Sequence, residues 1–394
     1  MLGGDLGEHF KNLHLNLLAG ASIRLLLPGS SQFDSIPVNS SNADDTLESI
    51  LQATPYYNNK EWRAFLNAYI NLLNKVGDIW QLLTKCYTTV TPIYLSNSDN
   101  GVDITPTLKL LSTALVKYSF RISKEASSHA ASLLSRLLAA SNTDIPQRRR
   151  VLVHTANMLS WTYFKLRRLH SLPTALKAVI PIEDELKNNY PASEITTYRY
   201  WRARSKLAEW RVGAADHHFS IAYMSCHYNS IGNLRRIVSY WLTCALILCR
   251  APTEDMLIRY GLEEPFGELF RQLRRGDVGG LYSALNQPNT RNFFIKMGVY
   301  TMLKEKLECV VHRSLLRKIL TVRGDENRII PLKIFLSALN FTAPDEEYDV
   351  DDAEAIAVSL IDQEFIGASI QHSSRTLVLA KANSAAFPII SQKL

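Results

Sequence analysis

The chain has 394 residues, of which 46% are hydrophobic and 21% are charged. This composition excludes a wholly disordered polypeptide and leaves room for two or three domains. The formal net charge is +7, but residues 145–215 carry thirteen Lys or Arg and five Asp or Glu, a local charge of +8. A basic region on a nearly neutral body indicates a polyanion or an acidic partner, or else an ordinary solvated helix surface.

Cysteine usage and hydropathy limit the compartment and the chemistry. The five cysteines form no CxxC pair and no metal-ligand spacing, so we expect a reducing cytosol or nucleus, no metal and no cofactor. Asp5 and Glu8 precede any apolar run, and we expect no signal peptide. The most apolar run, Tyr240–Cys249, is shorter than the roughly 20 residues of a membrane span. We therefore expect a buried helix there and no membrane partner.

The first 140 residues predict helices separated by polar loops. Apolar residues recur with helical spacing over Leu2–Leu27, and a second helix is expected to begin near Thr46. Glu61–Leu83 is predicted to be one strong amphipathic helix. A polar insertion, Ser96–Thr105, precedes a further helix over Ser127–Ala139.

The segment 141–290 predicts helix pairs that stack on one another. Apolar residues from Leu152 to Leu166 recur at spacings of four, three, four and three, which is one buried helix face. Tyr198–His227 predicts two helices joined by a turn at Gly213-Ala-Ala, with small residues and aromatics that allow close approach. Because no strict period of roughly 34 residues is present, this is a degenerate tetratricopeptide-like repeat. The pattern continues through Ile231–Arg250, Thr253–Tyr260 and Gly267–Arg275, and Gly276-Asp-Val-Gly-Gly predicts a turn.

The segment 291–394 predicts a compact module of helices and short strands. An apolar stripe from Phe293 to Val310 predicts an amphipathic helix, and His312–Leu320 predicts a short one. Pro331 suits the first position of a helix, and Asp349 with Asp352 forms a plausible cap for the next helix. Strands are predicted at Ile329-Ile330, Ala368–Gln371 and Arg375–Ala380. This is the element order of a winged helix.

Four segments carry a family resemblance: RRRVLVHTANMLSWTYFKLRRLHSL, YRYWRARSKLAEWRVGAADHHFSIAYMSCH, RRIVSYWLTCALILCRAPTEDMLIRYGL and RNFFIKMGVYTMLKEKLECVVHRSLLRKIL. The chain resembles the PCI-domain proteins, which are helical-repeat and winged-helix subunits of the proteasome lid, the signalosome and translation-initiation complexes. Within them it is similar to the branch of the PCI subunit of the TREX-2 mRNA-export complex (Thp-type) and its signalosome-subunit-twelve-like paralogue. The resemblance covers about residues 148–388.

This resemblance implies a mainly α fold, in which a TPR-like helical repeat stack ends in a C-terminal winged-helix (PCI) subdomain. We expect an N-terminal helical region with loops at 1–140, the repeats at 141–290 and the winged helix at 291–394. The resemblance also implies a non-enzymatic scaffold that pairs with a GANP/Sac-type PCI protein and a small acidic DSS/Sem-type protein. It implies RNA or DNA binding without strong sequence preference, in the nucleus or at nuclear pores, with the cytoplasm also possible. The alternative is a signalosome-subunit-twelve-like or other PCI scaffold, linked to transcription or splicing through protein contacts alone.

Phosphate contacts need Lys or Arg side chains, and the C-terminal module offers eight candidates. They are Arg313, Arg317, Lys318, Arg323, Arg328, Lys333, Arg375 and Lys381. Residues 345–364, in contrast, contain nine acidic residues and no Lys or Arg. This acidic segment includes the helix that a DNA-reading winged helix would place in the major groove, so we expect the neighbouring helix and the wing to face nucleic acid. The acidic helix is expected either to face a basic partner or to be exposed to solvent.

Two sets of residues are candidates for partner binding. Arg199, Arg202 and Lys206 share one helix face and suit an acidic partner or an extended nucleic-acid path. The second set is apolar and lies at the last helix turn and in the wing strand, where a sheet edge offers a pairing template. It comprises Phe365, Ile366, Leu377 and Leu379.

No pattern in the sequence predicts catalysis. His217-His218 with Cys226-His227 matches no zinc-ligand spacing, and Gly276-Asp-Val-Gly-Gly lacks the strand and helix frame of a phosphate-binding loop. We therefore expect no catalytic residues and no metal ligands, and the chain is predicted not to be an enzyme.

Overall fold

The computed structural model describes residues 60–73, 78–96, 104–324 and 328–390. This part of the chain is mainly helical and contains one small sheet, which confirms the predicted fold class. The chain separates into two compact units, one ending at Trp201 and one beginning at Arg202. The boundaries proposed from sequence at 140 and 290 remain predictions.

The first unit is built from consecutive helices that pack on one another. They are α1 (Lys60–Leu73), α2 (Ile79–Ser96), α3 (Thr105–Ile122), α4 (Lys124–Ser141), α5 (Pro146–Arg149), α6 (Leu152–Lys165), α7 (Leu172–Lys177), α8 (Leu186–Asn189) and the first part of α9 (Ala192–Ala208). Helices α1 to α4 pack in chain order, and α6 packs on α3 and α4. Large side chains such as Trp62, Phe65, Tyr87 and Tyr198 fill the core between them.

The predicted single helix Glu61–Leu83 is wrong, because the chain leaves the helical conformation at Asp78. The Asp78 carboxylate accepts a hydrogen bond from the backbone N–H of Trp80 at 2.9 Å and so starts the new helix α2. Helix α3 was not predicted as a helix at all. The helices expected over Leu2–Leu27 and near Thr46 lie outside the described residues.

A cluster of charged side chains lies among the helices of the first unit. Lys109 of α3 and Glu194 of α9 form an ion pair of 2.6 Å, with side chains only 19% and 13% exposed. His154 of α6 lies against both residues: its Nε2 is 3.1 Å from the Lys109 carbonyl oxygen, and its Nδ1 is 3.8 Å from the Glu194 carboxylate. Burial, with the Lys109 charge acting in the same direction, lowers the pKa of His154 to about 4. In this Lys109–His154–Glu194 cluster the two opposite charges pair through Glu194 Oε1, while Glu194 Oε2 is buried without a hydrogen-bond partner among the described residues.

The second unit continues the helical pattern and then changes to a mixed module. Its elements are the end of α9, α10 (Val212–Ser225), α11 (Ile231–Ile247), α12 (Glu254–Tyr260), α13 (Glu263–Arg275), α14 (Val278–Asn286), α15 (Pro288–Met297), α16 (Tyr300–Arg323), β1 (Ile329–Pro331), α17 (Leu332–Thr342), α18 (Val350–Asp362), β2 (Ala368–Gln371), β3 (Thr376–Leu379) and α19 (Asn383–Ala386). Helix α10 packs on α11, and α16 packs on α11 and α13. None of the helices in the described ranges has the length and apolar character to cross a bilayer.

The helix pair predicted over Tyr198–His227 exists, but its turn lies three residues before the predicted position. Trp210 adopts a left-handed backbone conformation with φ of 62° and ends α9. The N–H of Arg211 then bonds to the carbonyl of Lys206 at 3.0 Å, which is the Schellman arrangement that usually contains glycine. Gly213 consequently lies in the first turn of α10.

The long apolar stripe also divides differently from the prediction. Gly298, with φ of 74°, separates α15 from α16, and the expected short helix His312–Leu320 is the second half of the 24-residue α16. Helix α16 passes very close to the end of α13: a Cβ at Gly276 would lie 2.7 Å from the Leu315 Cα. Only glycine fits there, because its φ of 72° is also left-handed. The predicted turn at Gly276-Asp-Val-Gly-Gly is short, since Asp277 caps α14 through the Gly280 N–H at 2.8 Å.

The C-terminal elements have the order and pairing of a winged helix. The sheet order is β1-β3-β2 with antiparallel pairs, so β3 is the central strand. Helix α18 begins with the predicted capping box: the Asp349 carboxylate accepts from the Asp352 N–H, and the Asp352 carboxylate accepts from the Asp349 N–H. The predicted strands at Ile329-Ile330, Ala368–Gln371 and Arg375–Ala380 are confirmed to within a residue at each end.

Candidate partner and nucleic-acid interface

The acidic segment, residues 345–364, contains helix α18, the third helix of the winged helix. Its carboxylates at Asp345, Glu347, Asp349 and Asp352 are exposed. Two basic groups of the wing turn contact this helix: Arg375 lies 3.2 Å from Asp351, and the His372 Nδ1 lies 2.7 Å from Glu354. The exposed surface of this segment is therefore mainly acidic, and that it faces away from nucleic acid remains a prediction.

Arg313 was expected to contact phosphate, and the structure corrects this expectation. The Arg313 side chain is buried, at 5% exposure. Its Nε donates to the carbonyl of Phe365 at 3.0 Å, and its Nη2 donates to the carbonyl of Pro388 at 2.9 Å. The guanidinium also lies 5.6 Å from the centroid of the Phe387 ring. Arg313 thus ties α16 to the end of the module and does not share the exposed face of Arg317.

Arg317 and Lys318 are exposed, but they do not lie with the wing. Both line a cavity formed by α16, α13 and the residues that follow α11. Arg323, at the end of α16, is half-buried. The eight candidates therefore do not form one surface.

The sheet brings the four remaining candidates together in two pairs. At the wing-turn end, the Leu332 N–H bonds to the Arg375 carbonyl at 2.9 Å, so Arg375 lies next to the start of α17 and Lys333. At the opposite end, the Leu379 N–H bonds to the Arg328 carbonyl at 2.9 Å, which brings Arg328 near the segment that continues to Lys381. The Arg328 guanidinium is oriented by Asn383 Oδ1 at 2.6 Å. Side chains of both pairs reach solvent.

The apolar partner candidates are part of the core of the winged helix. Phe365, Ile366, Leu377 and Leu379 are at most 3% exposed. The two leucines alternate inward on β3, which is the central strand and not an edge. The structure thus corrects the prediction of an exposed partner surface at these four residues.

A different set of apolar side chains is exposed on the same module. Phe341 is 86% exposed, and Ile334, seven residues earlier, lies on the same face of α17. Ile329 on the edge strand β1 and Val322 near the end of α16 are also exposed. The sequence interpretation missed them because it considered only the core face of this helix. The spacing of Ile334 and Phe341, off the Leu332, Phe335 and Leu339 face, was the available signal.

Two of the three basic candidates on α9 form ion pairs with nearby glutamates. Arg199 lies 2.9 Å from Glu183 in the first unit, and Lys206 lies 2.8 Å from Glu209 in the second. Arg202 is half-buried. Their role in partner binding remains a prediction, with part of the charge already balanced by carboxylates.

The buried thiols and one buried histidine of the described residues have shifted pKa values. Burial raises the pKa of Cys86 to about 12 and raises that of Cys244, which keeps both thiols protonated. His312 is buried with an unpartnered Nε2, and burial lowers its pKa to about 4. No group of His, Cys, Asp and Glu in the described ranges is arranged to hold a metal ion.

Comparison with known proteins gives a consistent group of relatives. The chain is 28% identical to a PCI domain-containing protein of Schizosaccharomyces pombe, over 84% of this chain and 76% of that protein. It is 30% identical to PCI domain-containing protein 2 of Danio rerio, over 60% of this chain and 56% of the relative. It is 29% identical to Enhanced ethylene response protein 5 of Arabidopsis thaliana, over 67% of this chain and 63% of the relative. The chain thus spans less than two thirds of the zebrafish and plant proteins, and no protein-family model matches it.

Proposed function

Because this chain belongs to the family of PCI domain-containing proteins, we propose that it is a non-enzymatic scaffold subunit of a TREX-2-type mRNA-export complex. In this role it pairs with a GANP/Sac-type PCI protein and a small acidic DSS/Sem-type protein, and it works in the nucleus. It contributes to RNA or DNA binding without strong sequence preference. The resemblance of the chain to the TREX-2 branch is the basis for these partners.

The observation that carries the scaffold role is the exposed apolar face of the winged helix. Phe341 and Ile334 on α17, with Ile329 on the edge of the sheet, present apolar surface that no other described residue covers. Large apolar side chains in such positions mark protein interaction sites more often than scattered surface residues do. We propose that this face docks the second PCI protein.

Affinity purification of the full chain from cells, followed by mass spectrometry, tests the assembly. The expected result is co-purification of a second PCI protein of the GANP/Sac type. Recovery of signalosome subunits in its place contradicts the TREX-2 assignment. Phe341→Asp is expected to reduce the recovered PCI partner at least tenfold, since it places a charge in an apolar contact. Met224→Asp, on the exposed surface of α10, is the matched control and should change nothing.

The nucleic-acid contribution is assigned to the two basic pairs at the ends of the sheet. These pairs are Lys333 with Arg375 and Arg328 with Lys381, of which Arg328 is half-buried and the other three are exposed, with Arg375 lying 3.2 Å from Asp351. Each phosphate contact contributes about 0.7 to 0.9 to the slope of log affinity against log salt. Replacing all four by Ala should flatten this slope by about 3 and weaken RNA binding by the partner complex. Lys296→Ala with Lys304→Ala removes exposed charges elsewhere in the unit and should leave the slope nearly unchanged.

One observation favours a second candidate function. The exposed carboxylates on α18 suit a basic protein partner better than a phosphate backbone. The alternative is therefore a PCI scaffold that acts through protein contacts alone, in a signalosome-type, transcription-linked or splicing-linked assembly. RNA affinity that stays the same across a salt series, with the PCI partner still bound, would favour this alternative.

A further inference from the structure

A cavity of about 320 Å³ lies beside the winged helix in the second unit. Its walls come from α13, from α16 and from the residues that follow α11. Cys249 ends α11 in a left-handed conformation with φ of 57°, which turns the chain so that Arg250 joins the wall. The cavity volume is at the lower end of the range for small-molecule sites, roughly 300–1,000 Å³.

Five basic side chains line this cavity, and no carboxylate does. They are Arg250, Arg274, Arg313, Arg317 and Lys318, and we call the site the basic cavity. The hydroxyl groups of Ser314 and Thr321 complete its polar wall. Like charges so close together repel one another, so a fold without a ligand gains nothing from this arrangement.

Two of the five cations already have partners within the chain. Arg313 is held by the carbonyls of Phe365 and Pro388, and burial lowers its pKa, with the Arg317 charge acting in the same direction. Arg250 is paired with Asp216, whose carboxylate also accepts from the Trp241 Nε1–H at 2.8 Å.

Arg274, Arg317 and Lys318 differ from these two. Across the described ranges, none of the three has a carboxylate within ion-pair distance, and Arg317 and Lys318 sit on consecutive positions of α16. Helices α13 and α16 thus both contribute positive charge to the cavity. Among the described residues, only Arg250 of the five cations has a carboxylate partner, Asp216, which does not line the cavity.

We propose that the basic cavity binds a small ligand that carries two or more phosphate groups. Guanidinium groups donate paired hydrogen bonds to phosphate oxygens, and the ammonium of Lys318 adds a mobile point charge. Adjacent phosphates concentrate several negative charges in the volume that the cavity provides. This site is separate from the basic pairs at the ends of the sheet, and it goes beyond the proposed scaffold function.

The neighbouring surface favours a compact ligand over a polynucleotide. A groove of about 540 Å³ shares Ala251, Phe270 and Arg274 with the basic cavity. Four glutamates line this groove, Glu254, Glu263, Glu264 and Glu268, against two arginines, Arg271 and the shared Arg274, so its lining is acidic on balance. A nucleic-acid strand that left the cavity on this side would meet negative charge, whereas a small polyphosphate would not reach it.

Isothermal titration calorimetry of the purified full chain with inorganic tripolyphosphate tests the proposal. We expect tripolyphosphate to bind with 1:1 stoichiometry and at least tenfold more tightly than orthophosphate. Arg317→Gln combined with Lys318→Gln should weaken this binding at least tenfold. The matched control, Lys296→Gln with Lys304→Gln, removes the same charge from exposed positions outside the cavity and should bind as the parent does.

Stability without ligand gives a second and independent measurement. Because Arg317 and Lys318 repel their neighbours, the cavity double variant should unfold at the same temperature as the parent or higher. Added tripolyphosphate should raise the unfolding temperature of the parent and of the control, but not that of the cavity variant. Equal affinities of the cavity and control variants would overturn the proposal. A single-stranded oligonucleotide that binds through Arg317 and Lys318, where tripolyphosphate does not, would also overturn it in favour of a nucleic-acid path.

Discussion

The two units of this protein use charged side chains in opposite ways. In the first unit, Lys109, His154 and Glu194 come from three helices and meet in a nearly buried cluster where opposite charges pair at 2.6 Å. In the second unit, Arg274, Arg317 and Lys318 come from two helices and meet around a cavity in which no carboxylate balances them. In the first arrangement each charge has an opposite charge beside it, and in the second the three charges have none in the described part of the chain.

The charges of the first cluster stabilise the fold, and those of the basic cavity are available to bind a ligand. A buried charge with a partner is costly to disrupt, because removing one member leaves the other desolvated and alone. An exposed charge among like charges costs little to remove and its removal relieves repulsion. Substitutions that remove single charges therefore have opposite expected effects in the two places.

The largest effect is expected in the closed cluster. Glu194→Ala leaves Lys109 without its counter-ion and should lower the free energy of unfolding by about 3–5 kcal/mol. Urea denaturation measures this loss. Glu209→Ala, which breaks the more exposed pair with Lys206, is the control and should cost at most about 1 kcal/mol. Equal losses for the two variants would show that the Lys109–His154–Glu194 cluster is not a closed unit.

The second largest effect is expected at Arg313, which lines the basic cavity but is held by backbone carbonyls of the winged helix. Arg313→Ala leaves the carbonyls of Phe365 and Pro388 without donors and should destabilise the chain by about 2–3 kcal/mol. Arg317→Ala, one helical turn away, should change the free energy of unfolding by less than about 0.5 kcal/mol. Thermal unfolding of both variants checks the contrast, and a large loss for Arg317→Ala would contradict it.

Acid should weaken both units through their buried histidines. Burial lowers the folded-state pKa of His154 and of His312 to about 4, from an unfolded value near 6.5. Between these values the unfolded chain binds more protons, so stability is complete above about pH 6.5 and falls as the pH drops towards 4.

Each histidine should contribute about 2 kcal/mol of loss at pH 5 relative to pH 7.5. His154→Gln and His312→Gln should each reduce the slope of unfolding free energy against pH. Urea denaturation at a series of pH values measures that slope, and a slope unchanged by both substitutions would exclude this origin.

The smallest effect concerns the acidic segment, in which the Asp349 carboxylate caps α18 and the nearby Glu347 carboxylate is exposed. Asp349→Ala removes the cap of α18 and should cost about 1 kcal/mol. Glu347→Ala, two residues earlier and exposed, should cost almost nothing. Chemical denaturation resolves the two, and an equal cost would mean that the capping box does not contribute.

Most elements of the winged helix can be predicted from local sequence patterns. The Asp349 and Asp352 cap, the start of α17 after Pro331 and the three short strands are visible in the sequence, because capping and alternation are local chemistry. The site residues were predicted less well. Leu377 and Leu379 alternate as an edge strand would, and only their place between β1 and β2 buries them.

The ends of two helices also differ from the sequence prediction, for a physical reason. Trp210 and Cys249 end their helices in the left-handed conformation that sequence reasoning assigns to glycine. Their helix ends therefore carried no sequence signal. For this reason the sequence predicts the turn of the helix pair at Gly213, and it extends to Arg250 the helix α11 that ends at Ile247.

The sequence by itself determined the mainly helical repeat, the winged helix at its end and the acidic character of α18, since each depends on periodicity, capping or charge within a short segment. Only the tertiary structure decided which charges are partnered. Arg313 and Arg317 are one turn apart on α16, yet the first is enclosed by the end of the module and the second opens into a cavity. That choice depends on residues more than fifty positions away in the chain, which no local pattern contains.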